Sequence, residues 1–493
     1  MVLAMSEKRT KITIPPELDA EMTPAVRAFV DVLLARIESL ETEVSELKRL
    51  IGMNPQNSSV PPSSEHPHAK QRMPKREPSG RKRGGQKGHT KHQRTLVPSE
   101  QVTETITLKP PHCRHCGQNL QGNDPDPHRH QVFELPQIKP IITEYQRHRL
   151  RCSCCGISTT AALPDGVPEG QTGPRLVAFT ALLMAYFRQS KLRTALFLEA
   201  VCNIPCSAGL TVKHQNIATN ALRGCYDRMR QALPRSDAVA MDETPAKEAN
   251  HKAWLWTAVT KQFTLFHIAK TRKANVAKKL LGADFSGIVT SDRYGGYDWV
   301  HKQQLCWAHL LRDFQSLIDA GGKAKTIGRQ LKDCAQQLFH HWHRYRDGTI
   351  TRHTMKRNIR KLWWPVYEAL ETGTLKLHGR EVGMCRHIFD RFDSLWTFLD
   401  HEHVEPTNNA SERALRHAVI WRKLSFGTQS AAGSRFVETL PRVIETCRQQ
   451  DRNVFAFVTD DLIGRGIRAD AVVREIAAVV GGRGGGRPHM AQA

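Results

Sequence analysis

The chain has 493 residues, enough for roughly two to four domains and a substantial hydrophobic core. Its 72 Lys and Arg residues outnumber its 48 Asp and Glu residues, giving a formal charge of +24 and an isoelectric point near 9.8. This surplus favours a polyanionic partner such as nucleic acid. The longest apolar stretch, Leu176 to Phe187, is too short to cross a bilayer, and the start lacks an apolar signal segment. We therefore expect a cytoplasmic protein whose 12 cysteines are thiols or metal ligands rather than disulfides.

The first predicted element is an amphipathic helix within residues 1–54. Apolar residues recur at alternating steps of three and four, the a/d pattern of a coiled coil. They are Val30, Leu33, Ile37, Leu40, Val44, Leu47 and Ile51. One interpretation is a homodimer or higher oligomer formed through this helix. The alternative is a helix packed on its own chain, because three heptads are short for a two-stranded coil.

A basic linker is predicted over residues 55–98. It is rich in Pro, Ser, Gly, Lys, Arg and His, and it cannot bury enough apolar surface to fold alone. It is either a solvated linker or a flexible arm that neutralises DNA phosphates. The DNA-binding candidates in its most basic part are Arg81, Lys82, Arg83 and Lys87.

Two Cys-x-x-Cys-Gly sequences predict a zinc ribbon over residues 99–168. The four candidate ligands are Cys113, Cys116, Cys152 and Cys155. Four thiolates suit a tetrahedral structural Zn²⁺ and leave no open position for catalysis. Cys154 could replace Cys155, His112 and His115 are lesser substitutes, and a redox-active dithiol pair is the competing interpretation. Strand character is expected at 131–135 and 141–150 between the two turns.

Residues 169–233 have a helical pattern. The predicted helices cover 176–187, 194–201 and 210–229, with a break at Asn203-Ile-Pro205. The arrangement resembles a helix-turn-helix, in which Lys213, Gln215 and Asn216 could reach base edges in the major groove. A helical scaffold without a DNA contact is the alternative.

The catalytic candidates begin where a short apolar run ends in Asp242. Two β-rich runs follow, which predicts a three-strand meander over the first part of an α/β core at 234–315. After a helical segment, a further apolar run ends in Asp292, and this strand would return beside the first one. Both aspartates would then end neighbouring strands. Each acid alone is also an ordinary residue where a strand meets a loop.

A third acid, Glu412, lies in a helical segment of the second part of the core, 401–460. Asn408 and Asn409 precede it as N-cap candidates. Three carboxylates suit a pair of divalent cations held roughly 3.5–4 Å apart for phosphodiester chemistry. Cys306 and His309 form only half a zinc shell and are interpreted as packing residues. Four nearby cations are DNA-binding candidates: Arg413, Arg416, Arg422 and Lys423.

A helical insertion is predicted over residues 316–400, between the second and third acids. Its Trp342, Trp363 and Trp364 are typical of a packed core, with DNA contact as the alternative. The tail, 461–493, contains a Gly-Arg run and is expected to be disordered.

These residues belong to an ordered series of motifs. The series comprises Asp242-Glu-Thr-Pro245; Asp292 with Tyr294 and Tyr297; Cys306-Trp-Ala-His309 with Arg312 and Phe314; Asn408-Asn409-x-x-Glu412-Arg413-x-x-Arg416; and Arg422-Lys423 with Phe426-Gly427. It resembles the transposases of the insertion sequence 66 family, which are of the D-D-E type with an RNase H-like catalytic domain. Two positions depart from the family pattern: Arg293 stands where Gly is usual, and Leu311 where Arg is usual.

The resemblance implies a multidomain DNA transposase with two Mg²⁺ or Mn²⁺ ions at Asp242, Asp292 and Glu412. Such an enzyme cleaves at the end of its element and leaves a 3′ hydroxyl, which then attacks target DNA. The implied partners are double-stranded DNA, a second copy of the chain and accessory transposition proteins, with nucleoid association when DNA is bound. The alternatives are an RNase H-like nuclease without strand transfer and a non-catalytic DNA-binding regulator.

Overall fold

The computed structural model describes residues 22–51, 94–164, 166–463, 485–487 and 490–492. Helix α1 spans Pro24–Ile51. Its apolar side chains at Phe29, Leu33, Ile37 and Leu40 are each at least 40% exposed on the single chain. Of the seam residues, Val30 is partly exposed, and the side chains of Val44, Leu47 and Ile51 lie outside what the structure describes. The basic candidates Arg81, Lys82, Arg83 and Lys87 also lie outside it. The coiled coil therefore remains a prediction.

The region around the two Cys-x-x-Cys turns contains little regular structure. Strands β1 (Arg149–Arg151) and β2 (Ser158–Thr160) pair antiparallel around the second turn. An isolated bridge joins His112 to Asn119 around the first. The strand expected at 131–135 is absent from the described chain, and of 141–150 only the last two residues belong to β1. That prediction was wrong because a strand also needs a hydrogen-bonded neighbour, which a local pattern does not reveal.

Four helices form the next region: α2 (Pro174–Ala185), α3 (Lys191–Cys202), α4 (Ala208–Ala221) and α5 (Arg223–Ala232). The N-caps of α3 and α4 are Ser190 and Ser207, whose side chains accept backbone N–H groups. Asn203 ends α3 in the left-handed conformation at φ 54°. The single helix expected over 210–229 is divided at Leu222 into α4 and α5.

A five-stranded sheet forms the centre of the core. Its strands are β3 (Ala238–Glu248), β4 (His251–Val259), β5 (Thr264–Ala269), β6 (Ile288–Ser291) and β7 (Lys302–Leu305), in the order β5-β4-β3-β6-β7. The predicted meander is confirmed, because β3, β4 and β5 pair antiparallel. The run before Asp292 does return beside the first strand, since β6 pairs with β3 in parallel. Helix α6 (Ala274–Leu281) lies in the connection between β5 and β6.

Helices cover both faces of this sheet. After β7 come α7 (Trp307–Ala320), α8 (Gly322–Arg346), α9 (Arg352–Arg360), α10 (Trp363–Lys376), α11 (Gly379–Phe389) and α12 (Thr397–Asp400). The chain then forms α13 (Asn409–Ser425), α14 (Ala431–Gln449) and α15 (Val454–Ile463). The helical composition predicted between the second and third acids is thus observed.

Three apolar clusters hold these layers together. One joins α2, α4, α14 and α15 to the face of the sheet that carries Met241 and Trp256. A second fills the helical insertion and reaches Ile288 on the opposite face, and a small third cluster lies between that face and α13. Trp342 is buried as core, whereas Trp363 and Trp364 are 38% and 63% exposed. The opposite face, under α13 and the insertion, is the one on which the candidate site lies.

Helix α15 contains a buried acid whose ionisation should be visible in the pH dependence of stability. Burial raises the pKa of Asp461 to about 6, with Arg228 opposing the shift, whereas an unfolded Asp titrates near 3.9. The folded chain therefore binds more protons between these values, and its stability falls as pH rises from about 4 to 6. We expect Asp461→Asn to remove on the order of 2 kcal/mol of this decline. Denaturant unfolding at pH 4 and pH 7 measures the free energy of unfolding of both proteins. If it fell as much in Asp461→Asn as in the wild type, the assignment would be contradicted.

Among the described residues, no helix is long and apolar enough to span a membrane. The tail expected to be disordered contains a short antiparallel pair, β8 (Gly485–Arg487) with β9 (Met490–Gln492). The rest of that tail from 464 onward lies outside the described residues.

Candidate active site

The sequence predicted that Asp242 would end its strand, and this was wrong. Asp242 lies in the middle of β3. The strand continues because its hairpin with β4 stays paired as far as Glu248 and His251. Side chains alternate along it: Met241 and Glu243 are buried on one face, and Asp242 shares the other face with Ala240. Since α13 packs on that face, Asp242 is directed toward the helix that carries the third acid.

Asp292 directly follows β6, as predicted. In the parallel pairing of β3 with β6, Ala240 is opposite Thr290. Continuing this register by two residues sets Asp242 beside Asp292. The carboxylate Oδ1 of Asp292 accepts the N–H of Tyr294 at 2.9 Å, and its Oδ2 lies 4.0 Å from the guanidinium of Arg272. Two carboxylates thus meet at adjacent positions of neighbouring strands.

Glu412 lies in the first turn of α13, and Asn408 fixes that turn against the sheet. The side-chain amide of Asn408, fully buried, donates to the carbonyl of Met241 at 2.7 Å. Its backbone N–H donates to Sγ of Cys306 at 3.1 Å. Asn408 is the N-cap residue, as predicted, but its side chain makes no capping hydrogen bond because its amide is engaged with β3. The helix start is thereby tied to the residue before Asp242.

His309 faces Glu412 across the site. Its Nδ1 lies 3.5 Å from Glu412 Oε1, and the ligand atoms of Cys306, His309 and Glu412 all lie within 4.8 Å of one another. Burial lowers the pKa of His309, so the neutral ring is favoured. The packing interpretation fits Cys306, which is 1% exposed. His309 instead belongs to the polar surroundings of Glu412, which spacing alone did not reveal.

The electrostatics of Asp242 indicate a concentration of negative charge. Burial, together with the neighbouring carboxylates of Glu243, Asp292 and Glu412, raises the pKa of Asp242 to about 8. Such a group of partly buried acids is unfavourable unless a cation or protons neutralise it. Oxygen donors suit hard divalent cations such as Mg²⁺. The chemistry of these donors fits the implied metal, although among the described residues the oxygens of the three acids do not all lie within 4.8 Å of one another.

Behind these acids lies a buried network that sequence reasoning missed. Glu243 accepts hydrogen bonds from Arg272 and from the hydroxyl of Tyr297, each at 2.6 Å. The same guanidinium stacks over the ring of Tyr294 at 3.8 Å and approaches Asp292. One available signal was a charged residue on the inward face of a β-strand, which requires a buried partner.

The two departures from the family pattern occupy ordinary structural positions. Arg293 forms a two-point ion pair with Asp313 on α7, at 2.8 and 3.1 Å. Leu311 packs against the apolar cluster of the insertion. Although Arg293 follows Asp292 directly, its charge is shared with a different acid.

The DNA-binding candidates fall into two groups. The exposed ones are Lys213, Asn216, Arg413, Arg416 and Lys423. Gln215 is only 5% exposed and points into the helical core, so its predicted reading of bases is not available in this structure. Arg422 is half-buried and donates to the hydroxyl of Thr244 at 3.0 Å and to the carbonyl of Pro245. It joins α13 to β3, a structural role that its basic neighbours had obscured.

The two Cys-x-x-Cys turns have the same local geometry. In each, the backbone carbonyl of the first cysteine accepts the N–H of a glycine at 2.9 or 3.0 Å. That glycine has a φ near 72°. Backbone N–H groups lower the pKa of Cys113 and of Cys152, which favours thiolates. In the second turn the side chain of Cys155 also lowers the pKa of Cys152, as that of Cys116 lowers the pKa of Cys113. Among the described residues, however, the sulfurs of the two turns do not form a group within 4.8 Å of one another.

Comparison with protein families identifies the chain. The model of the transposase IS66 family matches residues 169–435, which is more than half of the sequence. The zinc-finger binding domain of transposase IS66 matches residues 110–156, and a family of unknown function matches residues 9–95. The chain belongs to the IS66 transposase family and contains its zinc-finger domain. This assignment accounts for the basic composition as that of a DNA-binding protein of insertion sequences.

Several curated proteins are similar to the chain. Uncharacterized protein y4hP of Sinorhizobium fredii is 23% identical over 403 residues, covering 74% of this chain and 72% of the relative. Uncharacterized protein y4qI of the same organism is 24% identical over 353 residues, covering 64% and 63%. A 41-residue stretch is 58% identical to the alanine–tRNA ligase of Pelotomaculum thermopropionicum, which is 8% of this chain and 5% of the ligase. The two rhizobial proteins thus match over most of their length, and the ligase over a small segment.

Proposed function

We propose that this chain is a D-D-E transposase, which cleaves the ends of an insertion sequence and joins the 3′ hydroxyl to target DNA. The observation that carries the proposal is that β3, β6 and α13 bring Asp242, Asp292 and Glu412 close enough for their charges, together with burial, to raise the pKa of Asp242 to about 8. The strand order β5-β4-β3-β6-β7, with an antiparallel meander and two added parallel strands, supports an RNase H-like core.

Asp242, Asp292 and Glu412 would hold two Mg²⁺ or Mn²⁺ ions. When bound, such ions activate the attacking oxygen and stabilise the leaving oxygen of a phosphodiester. The chain positions the ligands: Asn408 holds the start of α13 against β3, and Arg272 lies beside Asp292. The protein's own contribution to rate is this positioning together with charge complementarity to the transition state.

DNA would lie across the exposed cations of α13, Arg413, Arg416 and Lys423, with Lys213 and Asn216 of α4 as further contacts. These contacts neutralise phosphates, so affinity should fall with salt. A second copy of the chain, paired through α1, would hold the second element end, and the linker with Arg81, Lys82, Arg83 and Lys87 would add non-specific binding. We also propose accessory transposition proteins as partners.

The test uses purified protein and duplexes that carry the DNA flanking this reading frame. With Mg²⁺, we expect a nick that leaves a 3′ hydroxyl at the element end, followed by joining of that end to a plasmid target. Nicking without joining would favour a nuclease. Binding without nicking would favour the non-catalytic regulator. Scrambled end sequences are the control for specificity.

We also propose that Cys113, Cys116, Cys152 and Cys155 bind one structural Zn²⁺, with Cys154 outside the ligand set. Cys154 holds the same place in its turn as His115 does in the first. We expect Cys155→Ser to reduce the zinc content from one to near zero per chain, because a tetrahedral site does not close with three thiolates. Cys154→Ser, the matched control, should retain zinc. Metal analysis after dialysis measures both; zinc lost from Cys154→Ser alone would reverse the assignment.

A further inference from the structure

An open cleft lies beside the catalytic helix, at a place to which the proposed mechanism assigns no role. It has a volume of about 550 Å³ and lies between the α2–α3 connection, α3 and the end of α13. Phe187, Leu196 and Leu424 line it and are 60%, 55% and 63% exposed. We call it the α2–α3 cleft. Three large apolar side chains open to solvent in one concave surface are typical of a binding site.

The charge of the cleft favours an anionic ligand. Two of its lining residues are Arg188 and Arg193, and none of the described residues that line it is acidic. An apolar floor with cations at its rim matches a ligand that combines a flat apolar body with a phosphate. A nucleotide unit of DNA has this chemistry, and aromatic side chains such as Phe187 offer a stacking surface to any base.

Two polar atoms at the cleft are buried and without a partner. They are Nε of Arg188 and Oε1 of Gln189. Leaving a buried donor or acceptor unpaired costs roughly 1–3 kcal/mol. Arg188 also has a φ of 59°, in the left-handed region that a residue other than glycine rarely adopts. Neither atom is exposed to the cleft, and Nη2 of Arg188 lies 2.6 Å from Nδ1 of His417, so Arg188 is held in the wall of the cleft.

We propose that the α2–α3 cleft binds an unstacked nucleobase of the DNA substrate. The base stacks on Phe187, the amide of Gln189 bonds the base edge, and the exposed Arg193 contacts a flanking phosphate, while Arg188 is held by His417. The inference rests on the proposed function, since it requires a DNA substrate. Leu424 follows Glu412 by twelve residues on α13, so the cleft is roughly 18 Å along that helix from the third acid. That distance corresponds to about five base pairs.

The test compares duplexes that carry one unpaired base, three to seven base pairs from the cleavage position, with a fully paired duplex. Binding is measured by fluorescence anisotropy in EDTA, so that chemistry plays no part. We expect Phe187→Leu to weaken binding of the best unpaired duplex roughly tenfold, the scale of base–aromatic stacking. Binding of the paired duplex should change less than about twofold. Phe187→Tyr, which retains a stacking ring, should bind as wild type does.

Phe426→Leu is the matched control, because Phe426 is an aromatic residue 78% exposed near the same end of α13 but outside the cleft lining. Gln189→Ala is the second variant, and it should weaken the same duplex without affecting the paired one. Equal binding of unpaired DNA by Phe187→Leu and wild type would overturn the inference. Loss of self-association in Phe187→Leu, measured by sedimentation, would identify the cleft as a protein interface instead. Failure of wild type to bind any duplex would refute the proposed function, a distinct result.

Discussion

Asp242→Asn, Asp292→Asn and Glu412→Gln should each reduce Mg²⁺-dependent DNA cleavage by about 10³-fold or more. Each change removes a negative ligand from a proposed cation pair and thus several kcal/mol of transition-state stabilisation. The charges of Asp292 and Glu412 both raise the pKa of Asp242, so the three acids act on one another. The measurement is the rate of nicking of labelled element-end duplex under single-turnover conditions.

DNA binding by these variants separates a catalytic role from a folding role. We expect affinity in EDTA within about twofold of wild type or slightly tighter, because each change removes negative charge near phosphate. Asp400→Asn is the control: its carboxylate is 63% exposed in the insertion and pairs with Lys356 and Arg360. Exposed pairs contribute little, so this variant should cleave normally. Near-normal cleavage by Glu412→Gln would show that another acid completes the site.

Much of the site follows from local sequence, because strand-forming runs end in or near the acids. The meander after Asp242 and the return of β6 are readable as alternating or continuous apolar runs. The length of β3 is not. Its second half is polar, and it stays a strand only because β4 pairs with it through Glu248. Hairpin pairing of this kind is set by the partner strand, which a local pattern does not contain.

Side-chain contacts were not readable from the sequence where a distant partner decides them. Asn408 is the predicted N-cap residue of α13, but its amide bonds the carbonyl of Met241, 167 positions earlier. Arg422 was expected at DNA, yet it bonds the backbone of β3. Gln215 follows a helical spacing that brings it inward with the core. Each is a tertiary contact, and composition or spacing could not distinguish it from the surface alternative.

The network behind the acids has a measurable consequence for stability. Glu243 has 1% of its side chain exposed and is held by Arg272 and Tyr297. Burial raises the pKa of Glu243, while both partners favour its ionised form. Removing the Glu243 carboxylate leaves the buried hydroxyl of Tyr297 without its partner. The charge of Arg272 then acts on Asp292, 4.0 Å away, without competition from Glu243. A change at Glu243 should therefore affect both folding and the neighbouring candidate metal ligand.

We expect Glu243→Ala to lower the free energy of unfolding by roughly 2–4 kcal/mol, the cost of breaking a buried pair reduced because Arg272 is 37% exposed. It should also raise the Mg²⁺ concentration needed for half-maximal cleavage, since Arg272 then competes at Asp292. Glu405→Ala is the matched control: it breaks a 2.6 Å pair with Arg346 that is 39% and 55% exposed, and should cost less than about 1 kcal/mol. Denaturant unfolding and a Mg²⁺ titration measure the two effects. Equal losses of unfolding free energy in the two variants would show that burial of Glu243 does not strengthen its contribution to stability. An unchanged Mg²⁺ requirement would show that this network does not affect the metal site.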